Sequence, residues 1–266
     1  MKQLNVALYP EEGDEVIDMD HKFKVVEIFK SISGESFHSG EVAVFVRLYG
    51  CNLRCKYGNN QCDTPYSYEG NQYTLMTADE ICNEIKKLST NNLVVLTGGE
   101  PLIHPNIEFL LFDMAVLHDF KVDVETNGSV DLRSIVAKLW TIQNSDKLSE
   151  NIIFTVDYKS PSCGMNSAMI GDFAGMVDAI NRCGFEVNIK CVITPTGEDI
   201  AAVEALVNCL DSKSTLDTHQ HLFISPVYGC DVSSIVDKMC ESSVLSKCRL
   251  QLQIHKYIWD PEKRGV

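Results

Sequence analysis

Leu93-Val94-Val95-Leu96-Thr97-Gly98-Gly99-Glu100-Pro101 is the stretch from which the fold can be read. Four apolar residues form a run too short for a helix and bounded by turn residues, the mark of a strand covered on both faces. Two glycines and a proline then stop it in a tight turn. Upstream, Ile81, Ile85 and Leu88 recur at helical spacing behind Thr77, an N-cap with Glu80 three residues on. Downstream, Phe109, Leu110, Met114 and Leu117 give a second helix. A buried strand between two amphipathic helices belongs to a chain of alternating strands and helices.

The same alternation continues outward. Short runs rich in β-branched residues predict strands at 23–30, 42–49, 120–125, 152–157, 185–193, 221–225 and 249–254. Between them lie helical patterns: Leu132, Ile135, Val136 and Leu139; Met176, Val177, Ile180 and Cys183, stopped by Gly184; Val203, Leu206, Val207 and Leu210; Ile235, Val236, Met239 and Leu245. Strict alternation implies parallel strands with crossover helices, an α/β fold built as an incomplete barrel or an open sheet. No Pro/Gly-rich linker divides the chain, so one domain is expected. In such folds function collects on the loops at the carboxyl ends of the strands.

Composition excludes other classes. The 266 residues are 45% apolar and 23% charged, ordinary globular usage. The formal charge of −14, with no clustered Lys/Arg run, opposes nucleic-acid and anionic-membrane partners. Nothing approaches the run of about 18 apolar residues that would span a bilayer. Residues 1–20 are acidic, without a positive start or an apolar stretch; a secretory leader is not expected, and a cytoplasmic address is.

Eleven cysteines suit a reducing compartment, as buried filler, metal ligands or nucleophiles. Cys82, Cys183, Cys209 and Cys240 sit in helical patterns and read as filler. Cys51, Cys55 and Cys62 do not: they share one loop, spaced Cys-x3-Cys-x6-Cys, directly after the 42–49 strand. Three thiolates there fit a zinc loop, plain buried thiols, or a cubane iron–sulfur cluster with one iron left open. The open iron is what reductive cleavage of S-adenosylmethionine (SAM) requires. The Gly-Gly-Glu-Pro turn lies at the next strand end, where two glycines let backbone approach a ligand and Glu100 can accept from an ammonium. Glu125-Thr126-Asn127-Gly128, Asp157-Tyr158-Lys159 and Ser225-Pro226 close later strands on the same rim.

These residues carry a resemblance. The chain resembles the radical SAM enzymes, and within them the 7-carboxy-7-deazaguanine synthase family of queuosine and deazapurine biosynthesis. The likeness runs from about residue 23 to the C-terminus. It rests on Ser31-Ile32-Ser33-Gly34-Glu35, Phe45-Val46-Arg47, the three cysteines with Asp63-Thr64, Gly-Gly-Glu-Pro, the Glu125 and Asp157 segments, and the tail Gln253 to Val266. It implies a partial β/α barrel of the radical SAM type over 22–266, with 1–21 as an N-terminal extension. It also implies a lyase that contracts the ring of 6-carboxy-5,6,7,8-tetrahydropterin, giving 7-carboxy-7-deazaguanine and ammonia. A homodimer and a flavodoxin-like or ferredoxin-like reductant are expected with it.

By the resemblance, Cys51, Cys55 and Cys62 hold a 4Fe–4S cluster. Thr97, Gly98, Gly99 and Glu100 hold the methionine end of SAM, with Asp157, Lys159, Thr126 and Ser225 also on SAM. Thr64 stands at a magnesium position. The pterin falls to Ser33, Gly34, Glu35, Arg47, Glu125, His255 and Val266: Arg47 for its carboxylate, the two glutamates for its N–H groups, His255 as a donor and the chain end folded over. Two departures stand out. Four residues are inserted before the third cysteine relative to the usual Cys-x3-Cys-x2-Cys, and Ser33 replaces a common Gln. A radical SAM activase acting on a partner protein, and a zinc-binding module without chemistry, remain the competing readings of the cysteine loop.

Overall fold

The computed structural model describes residues 21–266 apart from 58–59, 142–144, 166–168, 215 and 261–262; the expected extension over 1–21 lies outside them except for His21. Among the described residues there are eleven strands: β1 Lys22–Ile32, β2 Val42–Leu48, β3 Lys56–Tyr57, β4 Asn60–Gln61, β5 Thr74–Thr77, β6 Leu93–Gly98, β7 Lys121–Thr126, β8 Ile152–Lys159, β9 Glu186–Ile193, β10 Leu222–Pro226 and β11 Arg249–Leu250. Nine form one sheet in the order β11-β10-β9-β8-β7-β6-β2-β1-β5, and β3-β4 is a separate small hairpin. From β2 to β11 every pairing in the large sheet is parallel.

The alternation therefore predicts the parallel part; the expected 23–30 strand is antiparallel, and the structure adds β5 beside it. β1 pairs antiparallel with both β2 and β5. The physical reason is length: residues 33–41 between β1 and β2 are too few for a crossover helix. β11 is shorter than the 249–254 run: its last bond to β10 is from Gln251 N–H to the Ile224 carbonyl at 2.9 Å. The Gln251 side chain turns to Ser36, accepting from the Ser36 N–H at 2.6 Å and donating to the Ser36 carbonyl at 2.7 Å.

Helices α1 Ala78–Leu88, α2 Ile107–Phe112, α3 Leu132–Thr141, α4 Ser145–Asn151, α5 Ile170–Arg182, α6 Gly197–Lys213, α7 Thr218–His221, α8 Val232–Glu241 and α9 His255–Ile258 follow the strands. The longer ones cover the outer face of the sheet. Val46, Leu96, Val124, Phe154, Val156, Ile189 and Ile224 from that face join Ile81, Ile85, Leu110, Val177, Leu206 and Ile235 in one core. The second predicted helix ends as a widened π turn at Asp113–Leu117. Leu245 falls outside α8, because Ser242 Oγ accepts from the N–H groups of Val244 and Leu245 and stops the helix. Of the four cysteines read as filler, Cys82 is buried and Cys183 and Cys209 are half-buried, but Cys240 is exposed on the outer face of α8, a correction. No helix among the described residues is long and apolar enough to cross a membrane.

α1 starts on the predicted capping box: Thr77 Oγ1 accepts from Glu80 N–H at 3.3 Å while Glu80 Oε2 accepts from Thr77 N–H at 2.9 Å. Thr77→Ala is expected to destabilise the fold by about 1 kcal/mol. In a chain of this length that lowers Tm by roughly 2–4 °C. An unchanged calorimetric melt would mean that the box contributes nothing.

Candidate active site

Period-two alternation puts the opposite residues of the same strands on the inner face of the half-barrel. Phe45 and Arg47 of β2, Thr97 of β6, Glu125 of β7, Thr155, Asp157 and Lys159 of β8, and Lys190 and Val192 of β9 all line one cavity of about 690 Å³. It opens at the carboxyl ends of the parallel strands, where the sequence pattern places the functional loops.

Cys51, Cys55 and Cys62 line this cavity with Thr64. Cys51 Sγ accepts from Leu53 N–H at 3.4 Å and from Asn127 Nδ2 at 3.7 Å, donors that suit a thiolate. Cys62 Sγ lies 3.5 Å from Thr64 Oγ1. The Cys55 thiol hydrogen-bonds Cys163, from the turn after β8, and that contact together with burial pushes its pKa up. Among the described residues, no three His, Cys, Asp or Glu side chains are already gathered as a metal cage. In kind the donor set fits a soft metal cluster: three thiols of one loop face one cavity, one of them with two N–H donors already at its sulfur.

The glycine turn stands directly against this loop. A Cβ at Gly98 would strike the Leu48 carbonyl, and one at Gly99 the Gly50 carbonyl and, at 2.7 Å, Cys51 Cβ. Thr97, Gly98, Gly99 and Thr126 line the cavity. Glu100 does not. Fully buried, it accepts from Leu102 N–H (3.0 Å), Thr126 Oγ1 (2.8 Å) and Asn127 N–H (2.6 Å), tying the β6 turn to the β7 turn. Burial raises its pKa, and those three donors oppose the rise. Asp157 and Lys159 form an ion pair at 2.5 Å inside the cavity wall, and Asp157 Oδ1 has no hydrogen-bond partner among the described residues. Ser225 is fully buried, outside the lining.

The remaining predicted residues gather at the other end. Gly34, Glu35, Arg47, Glu125, His255 and Val266 line the cavity; Ser33 is buried beneath, donating to the Glu35 carbonyl at 3.1 Å. Gly34 and His255 meet face to face, so that a Cβ at Gly34 would occupy the imidazole's place. Arg47 Nε donates to Glu27 Oε1 at 2.8 Å. Glu27 also accepts from Tyr66 at 3.1 Å, and the Arg264 guanidinium lies 3.9 Å from the Tyr66 ring centre. Lys256 pairs with Asp63 at 2.7 Å, joining the tail to the cysteine loop. Burial pushes Glu125 up to about 7, with Lys190 opposing the shift. Burial lowers the His255 pKa, against the pull of Glu35.

Sequence reasoning missed Lys190, Gln253, Glu27, Tyr66 and Cys163. A usable signal existed for one of them: Glu186, Asn188 and Lys190 fall at alternate positions of a strand expected to be covered on both faces. A polar stripe there has to face an internal site.

Comparison with known proteins closes the question of kinship. Residues 45–145 match the Radical SAM superfamily. The chain is 38% identical over 249 residues to the 7-carboxy-7-deazaguanine synthase of Clostridium acetobutylicum, covering 92% of this chain and 99% of that one. It is 31% identical over 257 residues to the enzyme of the same name from Leptospira interrogans, covering 92% and 98%. The crystal structure of QueE from Escherichia coli matches with a TM-score of 0.60 at 20% identity, over 88% of this chain and 95% of that one, a likeness of fold. Near full-length identity at this level, over a partial barrel whose cysteine loop and glycine turn meet at one cavity, is kinship and not convergence on a motif: the chain belongs to the 7-carboxy-7-deazaguanine synthase family of radical SAM enzymes.

Proposed function

We propose that this chain converts 6-carboxy-5,6,7,8-tetrahydropterin to 7-carboxy-7-deazaguanine and ammonia. The observation that carries the reading is the single cavity: three thiols and a glycine turn at one end, and a guanidinium with two carboxylates at the other. Radical SAM membership implies a 4Fe–4S cluster and SAM. Cys51, Cys55 and Cys62 would hold the cluster. Thr97, Gly98, Gly99 and Thr126 would hold SAM, with Asp157 and Lys159 beside it. When bound, the pair supplies a one-electron cleavage that yields a hydrogen-abstracting radical.

The chain's own groups then bind and orient. The Nε of Arg47 is occupied by Glu27, while its terminal nitrogens make no hydrogen bond among the described residues; that fork suits a carboxylate. Glu35 and Glu125 supply acceptors for the N–H edge of the bicycle, and His255 a further polar contact. Thr64 would place Mg2+ beside the substrate carboxylate, since magnesium keeps most of its waters and needs few protein ligands. Gln253, His255 and Lys256, with Arg264, Gly265 and Val266 at the chain end, line the cavity and would limit water access. In this reading Glu100 braces the SAM turn from behind and Ser33 shapes the loop of Gly34 and Glu35, while Ser225, buried on β10 four strands from that turn, takes no part in holding it. A flavodoxin-like or ferredoxin-like reductant, a homodimer and a cytoplasmic setting complete the proposal, the last supported by cysteines that are all free among the described residues.

The test is an anaerobic assay of the reconstituted protein with dithionite, Mg2+, SAM and 6-carboxy-5,6,7,8-tetrahydropterin. Mass spectrometry is expected to find 7-carboxy-7-deazaguanine, in lower yield when Mg2+ is chelated. Release of 5′-deoxyadenosine without that product would keep the radical chemistry and overturn the substrate.

A further inference from the structure

A lysine lies beneath the carboxylates of the substrate end. Lys190, on β9, is 13% exposed and places Nζ 2.9 Å from Glu35 Oε2. Gln253 Nε2 donates to the other oxygen, Glu35 Oε1, at 2.8 Å. Both carboxylate oxygens are thus held by the protein itself, one from the sheet and one from the tail. The tail segment is fixed in turn by Ile254 N–H on the Gly34 carbonyl at 3.3 Å. Each oxygen keeps a second lone pair for a ligand.

Charge adds to the geometry. Lys159 is paired with Asp157 and Lys190 with Glu35. Glu125 makes no ion pair among the described residues, although it feels the Lys190 charge. Lys256 is likewise paired with Asp63, so of the four carboxylate side chains that line the cavity Glu125 alone makes no ion pair among the described residues.

We propose that Lys190, together with Gln253, is a positioning residue for the pterin: it locks Glu35 as a pre-oriented acceptor and leaves Glu125 as the one carboxylate free to receive the N–H edge of the bicycle. This rests on the substrate reading above and deepens it. Fixing both oxygens removes the rotamer freedom that a surface glutamate would lose on binding. It also selects against flat ligands whose facing edge carries only acceptors, since these would meet two carboxylates with nothing to donate.

The consequence for pH has a definite sign. Glu125 is half-buried and faces Lys190, Glu35 and Asp123, with Thr97 beside it. Lys190 faces Glu35, Asp157 and Glu125, and acts on Lys159, His255 and Asp63. Removing the Lys190 charge removes the cation that keeps the Glu35 pKa low and limits the rise at Glu125. Their pKa values rise, and the acid limb of kcat/KM for the pterin moves to higher pH.

The experiment compares wild type, K190M and Q253A, reconstituted together, with kcat and KM for pterin and for SAM measured from pH 6 to 9, and with anaerobic titration of the cluster-free proteins by the pterin. K190M is expected to raise the pterin KM by at least about tenfold and to shift the acid limb upward by about one unit, leaving the SAM KM unchanged. Q253A is expected to raise the pterin KM with no shift of the limb, because it removes a neutral donor. Pterin and SAM constants that worsen together, or a limb that stays in place in K190M, would overturn the inference. If K190M loses its cooperative melt, K190Q carries the same test beside Q253A. Wild type that makes no product in this series refutes the substrate reading instead, so the two failures are told apart.

Discussion

Cys62→Ala is expected to abolish product formation and to leave the reconstituted protein short of iron and sulfide, whereas Cys163→Ala keeps its cluster and its activity. The contrast matters because two sulfurs compete for the third place. Cys62 arrives four residues later than the usual spacing, while Cys163 is buried with its thiol against Cys55. The turn that carries Cys163 lies beside the β3–β4 hairpin, which is the extra length of the cysteine loop: a Cβ at Gly164 would come 3.9 Å from the Lys56 carbonyl. The cavity decides between them. Cys62 lines it beside Thr64 and Cys51; Cys163 lies behind its wall. A cubane held by two cysteines has a second iron exposed, and SAM then loses its single defined chelation point. Anaerobic iron and sulfide analysis with the visible charge-transfer spectrum reads the outcome directly. Loss of the cluster in Cys163→Ala and its retention in Cys62→Ala would reverse the ligand assignment.

The second large effect is expected of Gly99→Ala. The new methyl group meets the Gly50 carbonyl on one side and Cys51 Cβ on the other, both close to backbone and unable to swing away. Two hydrogen bonds run through the same crossing, Gly99 N–H to Leu48 O at 3.2 Å and Glu100 N–H to Gly50 O at 2.7 Å. Relief by backbone shift would loosen both. We expect a loss of about 3 kcal/mol, at the upper end for overpacking. Tm then falls by roughly 6–12 °C for a chain of this size. SAM retention in equilibrium dialysis falls further still, since the turn and the cysteine loop are displaced together. Gly175→Ala is the matched control: Gly175 sits within α5 with nothing near its missing Cβ, and gains about 0.5–1 kcal/mol from helix propensity. A Gly99→Ala protein that melts like wild type and still retains SAM would show that the crossing tolerates a side chain.

Much of this architecture is legible in the residues themselves. The parallel strands come from apolar runs whose outer faces pack on helices, and a run such as Leu93–Leu96 has few other readings. β5 was not legible: Thr74–Thr77 is short and partly exposed, and it exists because β1 offers it an edge. The cysteine loop and the glycine turn announce themselves because their residue types are costly anywhere else. Lys190 and Gln253 do not. Each is an ordinary polar residue locally, and each becomes functional only through Glu35, which lies 155 and 218 residues away along the chain. Glu100 shows the converse, a residue whose motif suggests a ligand contact and whose carboxylate is taken up by three donors of the fold.

The seam between the Gly34–Ser36 loop and the Gln251–Ile254 segment also orders the birth of the molecule. From β7 to β11 each strand pairs with the strand made just before it, so that part of the sheet can be laid down in the order in which the ribosome delivers it. The Ser36–Gln251 and Glu35–Gln253 contacts join points more than two hundred residues apart and wait until residue 253 has emerged. During that interval the nascent sheet already carries Cys51, Cys55 and Cys62, while Glu35 still lacks the tail donor that holds one of its oxygens in the finished fold.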